Sequence, residues 1–343
     1  MEILRATTVL LILAFIAVAH SARWDAKRGW CGGRTNFFLG DFNGDSRTDF
    51  LCHRPSDGYI AISFANAKGQ FNGTSWRSRM RWCYRAGSEI FIGDFNGDGR
   101  SDMLCHDTKY GRKQVALAKS NGVFSRHPSW LRTFRIRWCS HGGAKLHIGD
   151  FNGDRRDDML CHDTKSGYYI AYANERGLFS RTNWKRRMGL CRHSGGQLFI
   201  GDFNGDSRDD LLCHDKSGNK SIVYANSAGN FGSKIRWKKA LGFCRNPSQL
   251  CIGNFNEDLK EDLLCHDHRS GKKWVALANG QSNFSGGTSW EASLGWCRQS
   301  TAEFHVGDFN GDHVTDMLCH DTKSGKNSII YADFQSTIKS IFQ

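Results

Sequence analysis

After residue 22 the 343-residue chain has no apolar run long enough to cross a bilayer as a helix. It also lacks helical periodicity of useful length, which argues against a helical fold. No nucleophile elbow, helix-borne metal motif or phosphate loop appears. The most recognisable hydrolase, metalloprotease and nucleotide-binding chemistries are therefore missing, and no enzyme is expected. Acid is in deficit: 34 Asp and Glu against 47 Lys and Arg leave a formal charge of +13. That balance suits an acidic partner, whether an anionic glycan, a microbial surface or a nucleic acid, or a solvated basic surface with no specific partner.

What is present begins at the N-terminus. Arg5 precedes an apolar run from Val9 to Ala19, and small residues offer cleavage after Ala19 or Ala22. This predicts a secretory signal peptide over 1–22, with 23–343 as a single secreted, extracellular body. Thirteen cysteines in a secreted chain imply disulfides rather than free thiols.

The stretch "GDFNGDRRDDMLCHD" runs from Gly149 to Asp163. Asp150, Asn152, Asp154 and Asp158 fall at positions 1, 3, 5 and 9 of a tight loop. These are oxygen donors at the intervals Ca²⁺ takes, and a dication relieves the repulsion between close carboxylates. The stretch recurs, with position 1 at Asp41, Asp94, Asp150, Asp202, Asn254 and Asp308, a period of 52 to 56 residues.

Each unit reads alike. An apolar segment leads into the acidic loop, "DDMLC" or a variant follows, then a turn such as "HDTKSG", a run such as "YYIAYAN", a Gly/Phe segment and a Trp, closing on Cys. Short β-rich runs between Gly, Asp, Asn and Ser turns are strands, four per unit. Four strands every 50 residues or so is the size of a propeller blade; a β-solenoid is the alternative. Trp24, six residues before Trp30-Cys31, repeats the spacing of Trp76 before Trp82-Cys83. The last unit reaches only its third strand, "NSIIYAD". The N-terminal strand is therefore expected to complete the last of six blades and seal an otherwise open edge.

The cysteines sort by the same logic. Cys31–Cys52, Cys83–Cys105, Cys139–Cys161, Cys191–Cys213, Cys244–Cys265 and Cys297–Cys319 lie 21 or 22 residues apart. Strand 1 runs down to the acidic loop and strand 2 returns, so both members end at one edge of the hairpin, within disulfide reach. Zinc is the rival, but adjacent strand residues such as Cys161 and His162 point to opposite faces. Cys251 is left over, read as a small buried residue or, more sharply, as an intermolecular thiol.

The unit "GDFNGDGRSDMLC" resembles the FG-GAP/VCBS repeats of integrin α-subunit propellers and of a mushroom propeller lectin. The resemblance implies Ca²⁺ in the strand 1–2 loops on one face, and recognition through loops on the opposite face or between blades. Carried over by position, it assigns ligands Asp41, Asn43, Asp45 and Asp49 in blade one and Asp94, Asn96, Asp98 and Asp102 in blade two. Blade three has the set above. Blade four offers Asp202, Asn204, Asp206 and Asp210, and blade six Asp308, Asn310, Asp312 and Asp316. Position-7 carbonyls come from Arg47, Arg100, Arg156, Arg208 and Val314. Blade five departs, with Asn254 for the first Asp, Glu257 for the turn Gly, and only Asp258 and Asp262 as carboxylates. About five sites are thus expected.

The opposite face should carry His106-Asp107, His162-Asp163, His214-Asp215, His266-Asp267 and His320-Asp321. Asp can fix sugar hydroxyls, and nearby Trp can cover a sugar's apolar face. The alternative is that His and Asp satisfy the turn backbone and the Trps are core. The fourth strands "WRSRMRW" (76–82), "RTFRIRW" (132–138), "WKRRM" (184–188) and "RWKK" (236–239) form a basic arc that "WEASLGW" in blade five interrupts. Acidic glycans fit that arc; secretion and disulfides argue against nucleic acid, and solvated edge charge is the bland reading. The functional expectation is a calcium-binding propeller that recognises glycans multivalently, lectin-like. The alternative is a cell-adhesion or matrix module that binds a cell-surface protein. N-x-S/T sequons at Asn72, Asn219 and Asn283 permit glycosylation.

Overall fold

The computed structural model of the chain describes residues 23–125, 137–279, 283–284 and 288–332. Residues 1–22, where a signal peptide is expected, and most of the basic stretch 132–138 lie outside the described residues. Within them the protein is all-β, with six antiparallel sheets. Five sheets have four strands, and that of blade two has three described strands. Blade three shows the pattern: Ala144–Gly149, Asp158–Asp163, Gly167–Ala171 and Trp184–Arg186 in sequential order. In its register Cys161 faces Leu146 on one side and Tyr169 on the other.

The expected permutation is what closes the ring. Arg23–Asp25 pairs antiparallel with Asn327–Ile330, so the N-terminal strand becomes the fourth strand of blade six. Two further contacts repeat around the ring and span the same seam. The backbone N–H at loop position 8 donates to the position-1 carbonyl of the preceding blade, as from Ser101 to Asp41 (2.6 Å) and from Asp209 to Asp150 (2.7 Å). Across the seam Thr48 donates to Asp308 at 2.6 Å. The position-2 Phe packs on the Gly/Phe segment of the next blade, as Phe42 on Phe124 and Phe151 on Phe231. Phe309 does the same with Phe71 across the seam.

Six apolar clusters fill the spaces between blades, each drawing on two neighbours. Such sheets bury both faces, so the strand-2 segments are continuously buried rather than alternating. All six predicted disulfides form, with Cα separations of 5.2–5.5 Å. The first cysteine of every pair has a positive φ of 50–62°. This left-handed residue ends the lead-in loop and turns its sulfur back toward strand 2. Cys251 is buried and unbonded to another sulfur; burial pushes its thiol up to about 12.

Candidate functional site

Each acidic loop is a tight knot of backbone N–H groups on side-chain oxygen. In blade one Asp41 Oδ1 accepts from Gly44 N (2.7 Å) and Asp45 N (3.1 Å), and Oδ2 accepts from Ser46 N (2.7 Å). Asp45 Oδ1 accepts from Arg47 N at 3.1 Å. Glycine at position 4, such as Gly44 with φ 75°, gives the loop its left-handed turn.

Position 9 has a second occupation that the spacing did not reveal. Asp49 is fully buried; its Oδ2 accepts from Phe42 N (3.1 Å) and its Oδ1 from Ala65 N (2.9 Å). It thereby clamps the loop, strand 2 and the segment beyond strand 3. Asp102, Asp158, Asp210, Asp262 and Asp316 repeat the clamp. Burial, with the nearby loop carboxylates adding, pushes Asp49, Asp102, Asp210 and Asp316 up to about 8 and Asp158 to about 9.

Position 7 also does more than offer a carbonyl. The guanidinium of Arg47 pairs with Asp45, Arg100 with Asp98, Arg156 with Asp154 and Arg208 with Asp206. Lys260 pairs with Asp258 in blade five at 3.1 Å. Blade six has Val314 there, so its Asp312 carries no such cation.

On the opposite edge the histidines are not presented to solvent. His106, His162, His214, His266 and His320 are only 0–4 % exposed, and so is His53. The lead-in loop of the next blade covers them: His106 Nε2 donates to the Cys139 carbonyl (2.9 Å) and His266 Nε2 to that of Cys297 (3.0 Å). These histidines are therefore buried in the blades, as in the alternative in which His and Asp satisfy the turns. The aspartates cap the turns. Asp107 accepts from Lys109 N and Tyr110 N, Asp163 from Lys165 N, Asp215 from Ser217 N, Asp267 from Arg269 N and Asp321 from Lys323 N.

Beside the histidines sits a residue that sequence reasoning passed over. The strand-3 partner of the strand-2 His is Lys113, Tyr168, Lys220, Lys273 or Asn327 in blades two to six. The three lysines are fully buried. Lys273 Nζ donates to Gly271 O (2.9 Å) and Trp296 O (3.0 Å), and Lys113 and Lys220 make the same two contacts. Tyr168 reaches the equivalent Leu190 carbonyl at 2.6 Å. Burial brings Lys113 and Lys220 down to about 7 and Lys273 to about 8. The signal was a lysine one residue into an apolar strand, visible only once the blades were aligned.

A cleft of about 720 Å³ opens on the face of blade five that looks toward blade four. Phe243 and Trp274 form its aromatic wall, and Arg245, Asn279 and Ser289 contribute polar groups. Trp274 occupies a place held by Ala61, Gln114, Tyr169, Ser221 and Ser328 in the other blades. Lys272 Nζ lies 5.1 Å from its ring centroid.

The FG-GAP-like repeat family matches residues 41–105 and 94–161, whose loops are those described above. Residues 41–161 are thus similar to FG-GAP-like repeats. Among solved structures, an Agrocybe aegerita lectin that recognises non-reducing terminal N-acetylglucosamine is 17 % identical, with a TM-score of 0.60 over 89 % of this chain and 82 % of that one. The Photorhabdus luminescens Tc holotoxin pore is 15 % identical, with a TM-score of 0.62 over 91 % of this chain and 14 % of that one. At such identities both share the fold. Comparison with curated proteins finds no match.

The FG-GAP loops fit a hard cation in the kind of donor they hold: three carboxylates, the Asn43 amide and a backbone carbonyl in blade one. Among the described residues no three His, Cys, Asp or Glu side chains gather closely enough to form a metal cage alone. An ion here would draw on the amide and carbonyl too, and would share Asp45 with Arg47. The buried position-9 carboxylate accepts N–H bonds on both oxygens. That arrangement favours the ionised form, against the burial that opposes it.

Proposed function

We propose that the protein is a secreted, calcium-stabilised propeller that binds glycans, and that the cleft on blade five is one place where it does so. The observation that carries this reading is the pairing of an aromatic wall with convergent polar groups in a cleft of about 720 Å³, within the ordinary range of ligand pockets, about 300–1,000 Å³. Trp274 offers a ring to the apolar face of a sugar, while the Arg245 guanidinium offers donors to its hydroxyls. The six disulfides agree with folding in an oxidising compartment. Calcium would be held by the position 1, 3, 5 and 9 side chains and would offset their mutual repulsion.

Four of the five His–Asp turns do not support this reading, because His106, His214, His266 and His320 are buried and bonded within the blades, whereas His162 Nε2 has no hydrogen-bond partner. The basic outer strands do remain available: Arg77, Arg81, Lys185, Arg186, Arg187, Arg236 and Lys238 are exposed. That surface favours, as a second reading, docking of an acidic glycan or a cell-surface protein. Titration with N-acetylglucosamine, other neutral saccharides and heparin tests both. Trp274→Ser installs the residue of blades four and six; it should abolish neutral-sugar binding and leave heparin binding unchanged. Neutral-sugar binding that survives the substitution would remove the cleft from the account.

A further inference from the structure

We propose that a second cavity, where blades three, four and five meet on the face opposite the acidic loops, binds the carboxylate of a small acidic ligand of the uronic acid class. It encloses about 900 Å³. Lys145, His147, His162, Arg192 and His193 line it without an Asp or Glu, and Asp215 lines the adjoining pocket that shares Lys145. The nearest carboxylate in sequence, Asp163, is buried and already takes His141 Nε2 at 2.6 Å and Lys165 N.

Two imidazole nitrogens point to what is missing. His162 is 4 % exposed and its Nε2 has no hydrogen-bond partner; His147 Nε2 is likewise buried and unpartnered. Buried polar atoms are normally satisfied, and an orphan beside a polar cavity marks a place for a ligand atom or water. At the rim Arg192 Nε is fixed by the Thr164 carbonyl at 2.8 Å and has no carboxylate partner among the described residues. Lys145 is exposed and makes no ion pair among them.

Blade six indicates which group belongs there. It carries the same strand-1 histidine, His305, but Glu303 stands at the position of Lys145. Glu303 Oε2 lies 3.4 Å from His305 Nε2, so blade six places a carboxylate of its own at ion-pair distance from the imidazole, although the two are not aligned as a hydrogen bond. Blade three replaces that acid with a cation, so no carboxylate among the described residues stands beside its imidazole. A carboxylate from outside would meet His147 as Glu303 meets His305, with Lys145 and Arg192 to balance its charge. The cavity is ample for a sugar ring bearing that group.

This rests on the glycan reading only in taking a sugar acid as the probe. Isothermal titration of the full chain with glucuronate, glucose and inorganic phosphate tests it. Glucuronate is expected to bind at least tenfold more tightly than glucose or phosphate. Lys145→Glu, which installs the blade-six arrangement, and His147→Phe, which installs the residue of blades two and four, should each weaken glucuronate at least tenfold without moving the melting temperature. Trp274→Ser should leave glucuronate binding intact, even if the cleft on blade five proves unrelated to sugars. Equal binding of glucose or phosphate, insensitivity to Lys145→Glu, or loss with Trp274→Ser would each overturn the proposal.

Discussion

Asp102→Ala removes a carboxylate that holds three segments of blade two together. The side chain is fully buried, and it accepts Phe95 N on Oδ2 (3.1 Å) and Ala118 N on Oδ1 (2.7 Å). Alanine leaves both N–H groups buried without partners. At about 1–3 kcal/mol for each unsatisfied group, the loss is about 2–6 kcal/mol. Asp98→Ala is the matched control. Asp98 is a partly exposed position-5 residue whose ion pair with Arg100 is worth about 0–1 kcal/mol. Its larger contribution, on the calcium reading, is to the ion. Urea unfolding followed by tryptophan fluorescence, in calcium and in chelator, separates the two. In calcium both variants should shift the midpoint down. In chelator the Asp98→Ala shift should vanish and most of the Asp102→Ala shift should persist. If the two variants become equal in chelator, position 9 serves only the ion and the clamp argument fails.

Chelation of the wild-type protein should lower its melting temperature, because an ion bound only by the folded form stabilises by mass action; an unchanged melt would remove calcium from the account. In excess calcium, stability should fall as pH drops from about 6.5 through about 4. Burial lowers His53, His106, His162 and His214 to about 4, so the unfolded chain takes up protons that the folded one refuses. In chelator the pH curve should flatten, since the position-9 carboxylates, raised to about 8, have the opposite sign and bind protons in the folded state. Deleting residues 24–29 removes Trp24 from its pairing with Ile329 and its packing on Phe71. It should give aggregation or rapid proteolysis near the last strand, and a protease-resistant monomer would argue against ring closure. Lys113→Met strands two buried carbonyls and should cost about 2–6 kcal/mol by denaturant unfolding, whereas Lys113→Tyr, the blade-three solution, should cost less.

The architecture was legible because it is written six times. A Cys spacing of 21 or 22 residues fixes where strand 2 returns, and Trp24 before Trp30-Cys31 fixes the permutation, because both depend on local strand geometry alone. The side chains at the blade edges were not legible in the same way. His106 alternates with Cys105 as a strand requires, but alternation does not say that the loop of the next blade will cover it. Arg47 was read for its carbonyl; its guanidinium closes on Asp45 only because the tight loop brings position 7 beside position 5. Asp49 was read as an ion ligand, while its bond to Ala65 N spans 16 residues and needs strand 3 in place. The clefts depend on single departures from the repeat, Trp274 in blade five and Lys145 in blade three, and a repeat is read by what its copies share.

The claim that the ring exists to bind sugars is tested most directly by a glycan array probed with the full chain, with and without chelator, beside Trp274→Ser and Lys145→Glu. The account predicts saccharide signals that weaken in chelator, with neutral sugars lost in the first variant and acidic sugars in the second. No glycan bound at any ionic strength, together with a protein partner whose binding survives complete deglycosylation, would contradict it.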